Sequence, residues 1–209
     1  MKRLILIPII ILMAIPPAMS ASSEPQEPMA ALRGPIDQVI SILKDPKLKS
    51  PEKEDEQRQA IVEVVEKIFD FEKISKLALG RFRRTFNDQE MERYTELFTD
   101  LLIDTYLNQV QKEFQNDEVT YLEQMYHPSD SERAMVKTLI QRKNADIPID
   151  YSMYIADGKW RIYDVKVEGV SLVKNYRTQF EKILLQKSPD ALIEKLEKKG
   201  IDSQIKTSG

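Results

Sequence analysis

Apolar positions along the chain change their spacing twice. Up to about residue 114 they recur at three- and four-residue steps, between residues 118 and 167 they tend to alternate, and beyond 170 the helical spacing returns. Ile36, Val39, Ile40 and Leu43 follow Pro35, which suits the first turn of a helix, and Asp45-Pro46 ends it because the residue before Pro avoids helical backbone. Ser50-Pro51 opens a second helix, with Glu52, Glu54 and Asp55 at its positive end and Ile61, Val64, Val65 and Ile68 as its stripe. A short third helix runs from about Phe71 to Leu79, with Ile74, Leu77 and Ala78 inward and Gly80 closing or bending it. Asn87 to Glu90 resembles a capping box and opens the longest helix, about Asp88 to Phe114. Its Met91, Tyr94, Phe98, Leu101, Leu102 and Tyr106 fall within one arc.

The alternating region predicts four strands: Glu118–Tyr126, Ala134–Arg142, Ile147–Ile155 and Trp160–Val167. The links between them carry turn residues, and Asp157-Gly158 is a strong hairpin signal. Four sequential strands with short links imply an antiparallel meander. The last strand is expected to run through Gly169 straight into a helix opening near Val170, with Leu172, Val173, Tyr176, Phe180, Ile183 and Leu184 on one side. Ser188-Pro189 starts a final helix carrying Leu192, Ile193 and Leu196. Helices grouped before and after an antiparallel sheet predict an α+β fold, a twisted four-stranded sheet packed with N-terminal helices and two C-terminal helices.

Composition adds an address. Residues 1–21 have the form of a secretory leader: Lys2 and Arg3, an apolar run from Leu4 to Ile15, and small residues Ala18 and Ser20 before a cleavage point. The run is short for a membrane span and is interrupted by Pro8. The chain contains no Cys, so no cysteine-linked lipid anchor is expected, and the cysteine-free product suits a bacterial periplasm. Residues 22–34 read as a flexible tether, 35–199 as one domain, and 200–209 as a disordered tail. Loss of Lys2 and Arg3 takes 31 basic residues to 29 against 34 acidic, so the net charge moves from −3 to −5. That balance argues against nucleic acid as a partner.

Candidate chemistry is sparse. With one His and no Cys, a Cys–His pair and a zinc site with the usual ligands are excluded. His127 lies in a turn beside Pro128, where a solvated side chain is expected. Six unclustered Gly exclude a phosphate-cradling loop. Glu92, Glu96, Asp100 and Asp104 form an acid stripe at four-residue spacing, either a solvated face or a docking surface for a basic partner. Arg81, Arg83 and Arg84 around Phe82 are either a solvated turn or a steering patch for an anionic headgroup or acidic partner. Asp164 sits in a strand expected to be covered, so it needs partners. It is read as a structural acceptor fixing the strand-to-helix turn with Gly169; the alternative is a general base in an isomerase- or hydratase-type pocket. Several strands carry apolar residues on both faces, so either helices cover both or one face lines a cavity for an apolar ligand.

Three segments carry a family resemblance: Phe69-Asp70-Phe71 through Leu79-Gly80-Arg81-Phe82, the capped helix Asn87 to Tyr106, and Trp160-Arg161-Ile162-Tyr163-Asp164-Val165 with Glu168-Gly169-Val170-Ser171-Leu172, then Tyr176 and Phe180. Over about Pro35 to Lys198 the chain resembles the MlaC family of periplasmic phospholipid carriers, the toluene-tolerance or ABC-transporter auxiliary family. The resemblance implies a deep apolar pocket between sheet and helices and no catalysis or cofactor, with phospholipid as cargo. It further implies a monomer that shuttles between an outer-membrane lipoprotein–porin complex and an inner-membrane ABC transporter carrying an MCE-domain ring. The expected pocket residues are Leu77, Phe82, Tyr94, Phe98, Leu101, Leu102, Val136, Leu139, Tyr151, Met153, Tyr163, Val165 and Leu172. A solid-core adaptor protein is a further alternative.

Overall fold

The computed structural model describes residues 26–142 and 145–201. The expected leader, residues 1–21, lies outside the described residues. The elements are α1 (Pro28–Lys44), α2 (Glu54–Ile68), α3 (Phe71–Leu79), α4 (Asp88–Glu113), β1 (Glu118–His127), β2 (Asp130–Gln141), β3 (Asp146–Ala156), β4 (Lys159–Val167), β5 (Val170–Ser171), α5 (Leu172–Leu184) and α6 (Pro189–Glu197). The strands form one antiparallel sheet in the order β1-β2-β3-β4-β5. The class is α+β as expected, with five strands in place of four.

Most boundaries follow local chemistry. The Asn87 side chain accepts from the Glu90 N–H while the Glu90 carboxylate accepts from the Asn87 N–H, a complete capping box at the start of α4. Gly80 ends α3 at φ 56°, a conformation costly for any residue with a Cβ. Asp157 and Gly158 both have positive φ, the backbone of the tight hairpin turn their sequence signals.

Two expectations are corrected. Helix α1 begins at Pro28, seven residues before Pro35, so residues 28–34 are not a tether. These residues anchor the helix to the sheet: Leu32 is fully buried against a cluster of Ala134, Val136, Met153, Trp160 and Ile162, with Met29 and Ala31 packed beside it. The Trp160 Nε1–H donates to the Gln26 carbonyl at 2.6 Å, and the Met29 N–H donates to Gln124 Oε1 at 2.9 Å. At the other end Ile201, placed in the expected tail, is buried against the helical core; residues 202–209 lie outside the described residues. The second correction is the strand-to-helix junction. Glu168 and Gly169 take positive φ and turn the chain back, so Val170 and Ser171 pair with Val167 and Lys166 before α5 starts at Leu172.

The sheet has one covered face. Ala134, Val136 and Thr138 of β2 lie opposite Met153, Tyr151 and Ile149 of β3, which in turn face Ile162, Val165 and Val167 of β4. The step from Ile162 to Val165 breaks strict alternation: Ser152 pairs with Asp164 and Met153 with Ile162, leaving Tyr163 as a bulge. That extra residue switches the inward phase of β4 from even to odd positions.

The buried apolar residues fall into three clusters. The largest joins α3, α4, α5 and α6 around stacked and edge-on rings of Tyr94, Phe98, Tyr176 and Phe180. The second joins α1 to the sheet, and the third joins α1, α2 and α4 through Leu43, Ile61 and Leu107. A domain of this size usually has one contiguous core.

Candidate functional site: an apolar cavity between sheet and helices

A cavity of about 790 Å³ occupies the place where the three clusters would otherwise meet. Its floor is the inner face of the sheet: Ile140 of β2, Ile147, Ile149 and Tyr151 of β3, and Val165 and Val167 of β4. Helix α2 supplies Ile61, Val62 and Val65, and the α2–α3 junction supplies Phe69 and Phe71, whose rings stack at 5.7 Å. Ile74, Leu172 and Val39 complete the wall from α3, α5 and α1.

Helix α4 changes role along its length. Tyr94, Phe98 and Leu101 belong to the solid aromatic core, whereas Leu102, Ile103, Tyr106, Leu107 and Val110 face the cavity. The rim is polar: Asn108, Gln109, Lys112 and Glu113 of α4, and Glu168, are exposed, and Arg142 is half-buried. The arrangement is that of a ligand pocket, apolar inside with polar groups at its opening.

Arg142 ties the rim together. Its guanidinium donates to Glu113 of α4 and to Asp117 just before β1, each at 2.9 Å. Asp117 is buried, so Arg142 is the partner that makes its charge tolerable there. On the other side of α4, Arg58 of α2 pairs with Asp104 at 2.5 Å and reaches Asn108 at 2.9 Å.

The wall contains hydroxyls that stay neutral. Burial pushes the Tyr151 phenol up to about 12. Burial, followed by the neighbouring Tyr176 hydroxyl, pushes Tyr106 above the ordinary phenol range. Asp164 also borders the cavity, but both of its oxygens are engaged: Oδ2 accepts from the Ser171 hydroxyl at 2.6 Å and Oδ1 from the Val173 N–H at 3.0 Å.

Of the thirteen expected pocket residues, Leu102, Tyr151, Val165 and Leu172 line this cavity. The others lie elsewhere. Tyr94, Phe98 and Leu101 are interior to the aromatic core, with Leu77 and Phe82 packed against it. Val136 and Met153 are fully buried in the sheet–α1 cluster. Leu139 lies on the outer face of β2, one position from the lining Ile140, and Tyr163 is the bulged residue of β4. Ile61 and Val65 carried a visible signal as the stripe of α2; Ile147, Ile149 and Val167 were hidden because face assignment in a strand turns on a single residue.

The remaining candidates are surface features. Two of the four acids of the stripe are paired: Arg93 bridges Glu96 to Glu197 of α6, and Asp104 accepts from Arg58 and from Lys199 at 3.0 Å. Arg81 pairs with Glu181 at 3.0 Å, while Arg83 and Arg84 are exposed. His127 stands in an exposed turn with Ser129 Oγ at 3.3 Å. Among the described residues no group of His, Cys, Asp and Glu is placed to hold a metal, and no helix is long and apolar enough to cross a membrane.

This architecture and sequence have known counterparts. A solved structure of a phospholipid-binding protein from Ralstonia solanacearum, in complex with a phospholipid, superposes with a TM-score of 0.73 at 21% identity, covering 83% of this chain and 96% of that one. The toluene tolerance protein ttg2D of Pseudomonas putida is 24% identical over 174 residues, 82% of this chain and 79% of that protein. The MlaC protein family model matches residues 34–198, most of the chain and every residue that lines the cavity, and the chain belongs to the MlaC protein family.

Proposed function

We propose that the protein is a periplasmic carrier that buries the acyl chains of a glycerophospholipid in this cavity. It shuttles the lipid between an outer-membrane lipoprotein–porin complex and an inner-membrane ABC transporter with an MCE-domain ring, and so maintains outer-membrane lipid asymmetry. The observation that carries the reading is the core itself. A chain of this size that could close three clusters into one instead keeps a cavity of about 790 Å³ lined mainly by Ile, Val, Leu, Phe and Tyr, with its charged groups at the rim apart from Asp164, whose oxygens are both engaged.

The driving force is desolvation. Each methylene moved from water into an apolar wall contributes about 0.8 kcal/mol. Nothing in the wall needs to react: Tyr106 and Tyr151 remain neutral, and Asp164 is occupied in holding α5. A solid-core adaptor does not fit a cavity of this size. The headgroup lies at the rim beside Lys112, Arg142 and Glu168. Release requires the C-terminal half of α4 to move against the sheet, the two walls that Arg142 and Glu113 bridge. The leader-like residues 1–21 and the absence of Cys support the periplasmic address.

Organic extraction and native mass spectrometry of the purified protein, with uptake from liposomes, test the reading. A stoichiometric phospholipid and transfer between vesicles are expected. Protein that is folded, carries no lipid and takes none from liposomes would sink it.

A further inference from the structure

The outer face of the sheet carries a second organised feature, at the end away from the cavity rim. Arg133 of β2, Tyr154 of β3 and Arg161 of β4 are cross-strand partners in one outward row. Lys73 of α3 places its ammonium 3.0 Å from the centre of the Tyr154 ring. The Tyr163 ring meets Tyr154 edge-on at 5.8 Å, and the Arg133 guanidinium lies 5.5 Å from its centre. Two cations therefore lie against the two aromatic rings, with Arg161 beside Tyr154 in the same row.

Of the carboxylates nearby, Asp70 and Asp130 are engaged in local hydrogen bonds, and Asp157 lies within electrostatic reach of Tyr154. Asp70 caps α3 through the Lys73 N–H and accepts from the Tyr154 hydroxyl. Asp130 accepts from the Glu132 N–H at 3.0 Å and stands 4.0 Å from Arg133, the one salt bridge to these cations among the described residues. Arg161 is held by the Lys67 carbonyl at 2.7 Å, which neutralises no charge. The next row begins with an apolar pair, Met125 of β1 in register with Met135 of β2, and continues into Ser152 and Asp164; Met125 is exposed, as is Leu122 at the irregularity farther along β1.

We infer that this patch docks an acidic surface of a partner protein. Fixed cations on aromatic rings next to exposed Met and Leu match the composition of protein interfaces, in which Tyr, Met and Arg are enriched. The charge is local: the chain beyond the leader carries 29 basic against 34 acidic residues, so it presents this patch against an acidic background. An anionic bilayer would repel the molecule as a whole, whereas a carboxylate cluster on a protein meets only the patch. An occupant there leaves the cavity rim free, and the inference does not depend on what fills the cavity.

The test uses the chain from residue 22 onward and an immobilised decaglutamate peptide as probe. Binding at low salt is expected, with loss of about tenfold or more in Lys73→Glu/Arg133→Glu and a smaller loss in Lys73→Gln/Arg133→Gln. Arg83→Glu/Arg84→Glu, the same charge change on another surface, is expected to stay within about twofold of wild type. Liposome uptake measured in parallel is expected to be unchanged in all of these variants. No binding by wild type, equal loss in the Arg83/Arg84 variant, or stronger Lys73- and Arg133-dependent binding to phosphatidylglycerol vesicles than to the peptide would each overturn the inference. Failed uptake by wild type would remove the carrier reading and leave the peptide result standing.

Discussion

The Ser171 hydroxyl donates to Asp164 Oδ2 at 2.6 Å and at the same time accepts the Lys174 N–H at 3.0 Å. One side chain thus caps α5 and is itself oriented by a carboxylate from β4. The other oxygen of Asp164 takes the Val173 N–H, so two otherwise unpaired donors near the start of α5 end, directly or through Ser171, on one residue. Leu172, between them, is turned into the cavity wall.

Asp164→Ala is therefore expected to cost about 1–3 kcal/mol, the range for leaving partly buried polar groups unpaired. Asp164→Asn keeps an acceptor oxygen and is expected to recover part of that. Urea denaturation measures the stability and lipid extraction measures the cargo. Normal stability with complete loss of cargo in Asp164→Asn would show that the carboxylate acts on the ligand.

Cavity and core separate residues that looked alike in the sequence. Ile149→Trp puts a large ring into the cavity and is expected to abolish lipid uptake while leaving the melting temperature of the lipid-free protein unchanged or higher. Phe98→Ala, in the aromatic core, is expected to cost about 3–5 kcal/mol and to leave the lipid content of the folded fraction intact. The reverse pattern would place the lipid among the α3–α6 rings.

The first turns of α1 are structural. Leu32→Ala is expected to destabilise the domain by about 2–4 kcal/mol, because the side chain is fully enclosed by Ala134, Val136, Met153, Trp160 and Ile162. A tether residue would show no effect. Thermal denaturation with and without the substitution decides between them.

One pH effect has a definite sign. The Asp100 carboxyl is raised above its ordinary value, first by burial and then by Asp104 and Glu96 on the same face of α4. A folded-state value above the unfolded one favours the protonated form, so the contribution is favourable in acid and is lost as pH rises through the folded value. Asp100→Asn is expected to stabilise the protein at neutral pH by roughly 0.2–0.5 kcal/mol, the scale of exposed like-charge pairs one turn apart, and to have no effect near pH 3. Melting temperatures at the two pH values check it; an equal gain at both would assign the effect to packing.

Local chemistry was enough for much of the architecture. Asn87 and Glu90 mark the start of α4, Gly80 the end of α3, and Asp157-Gly158 a hairpin, because caps and tight turns are made within a few residues. Val165, Tyr151, Leu102 and Leu172 were legible as cavity residues. Leu139 was not separable from Ile140, since one residue of register exchanges the faces of a strand.

The sequence by itself determined the α+β order of elements, the family, and an excess of apolar residues over what one sheet face can hide. Only the tertiary structure decided which of those residues pack on one another and which are left facing a void. The physical reason is range. Capping and alternation are written in neighbours, whereas the cavity exists because α4 leaves the aromatic core at Leu102, a bulge at Tyr163 resets β4, and Leu32 anchors α1 across the sheet. Each of those depends on a partner distant in the chain, and none leaves a local mark.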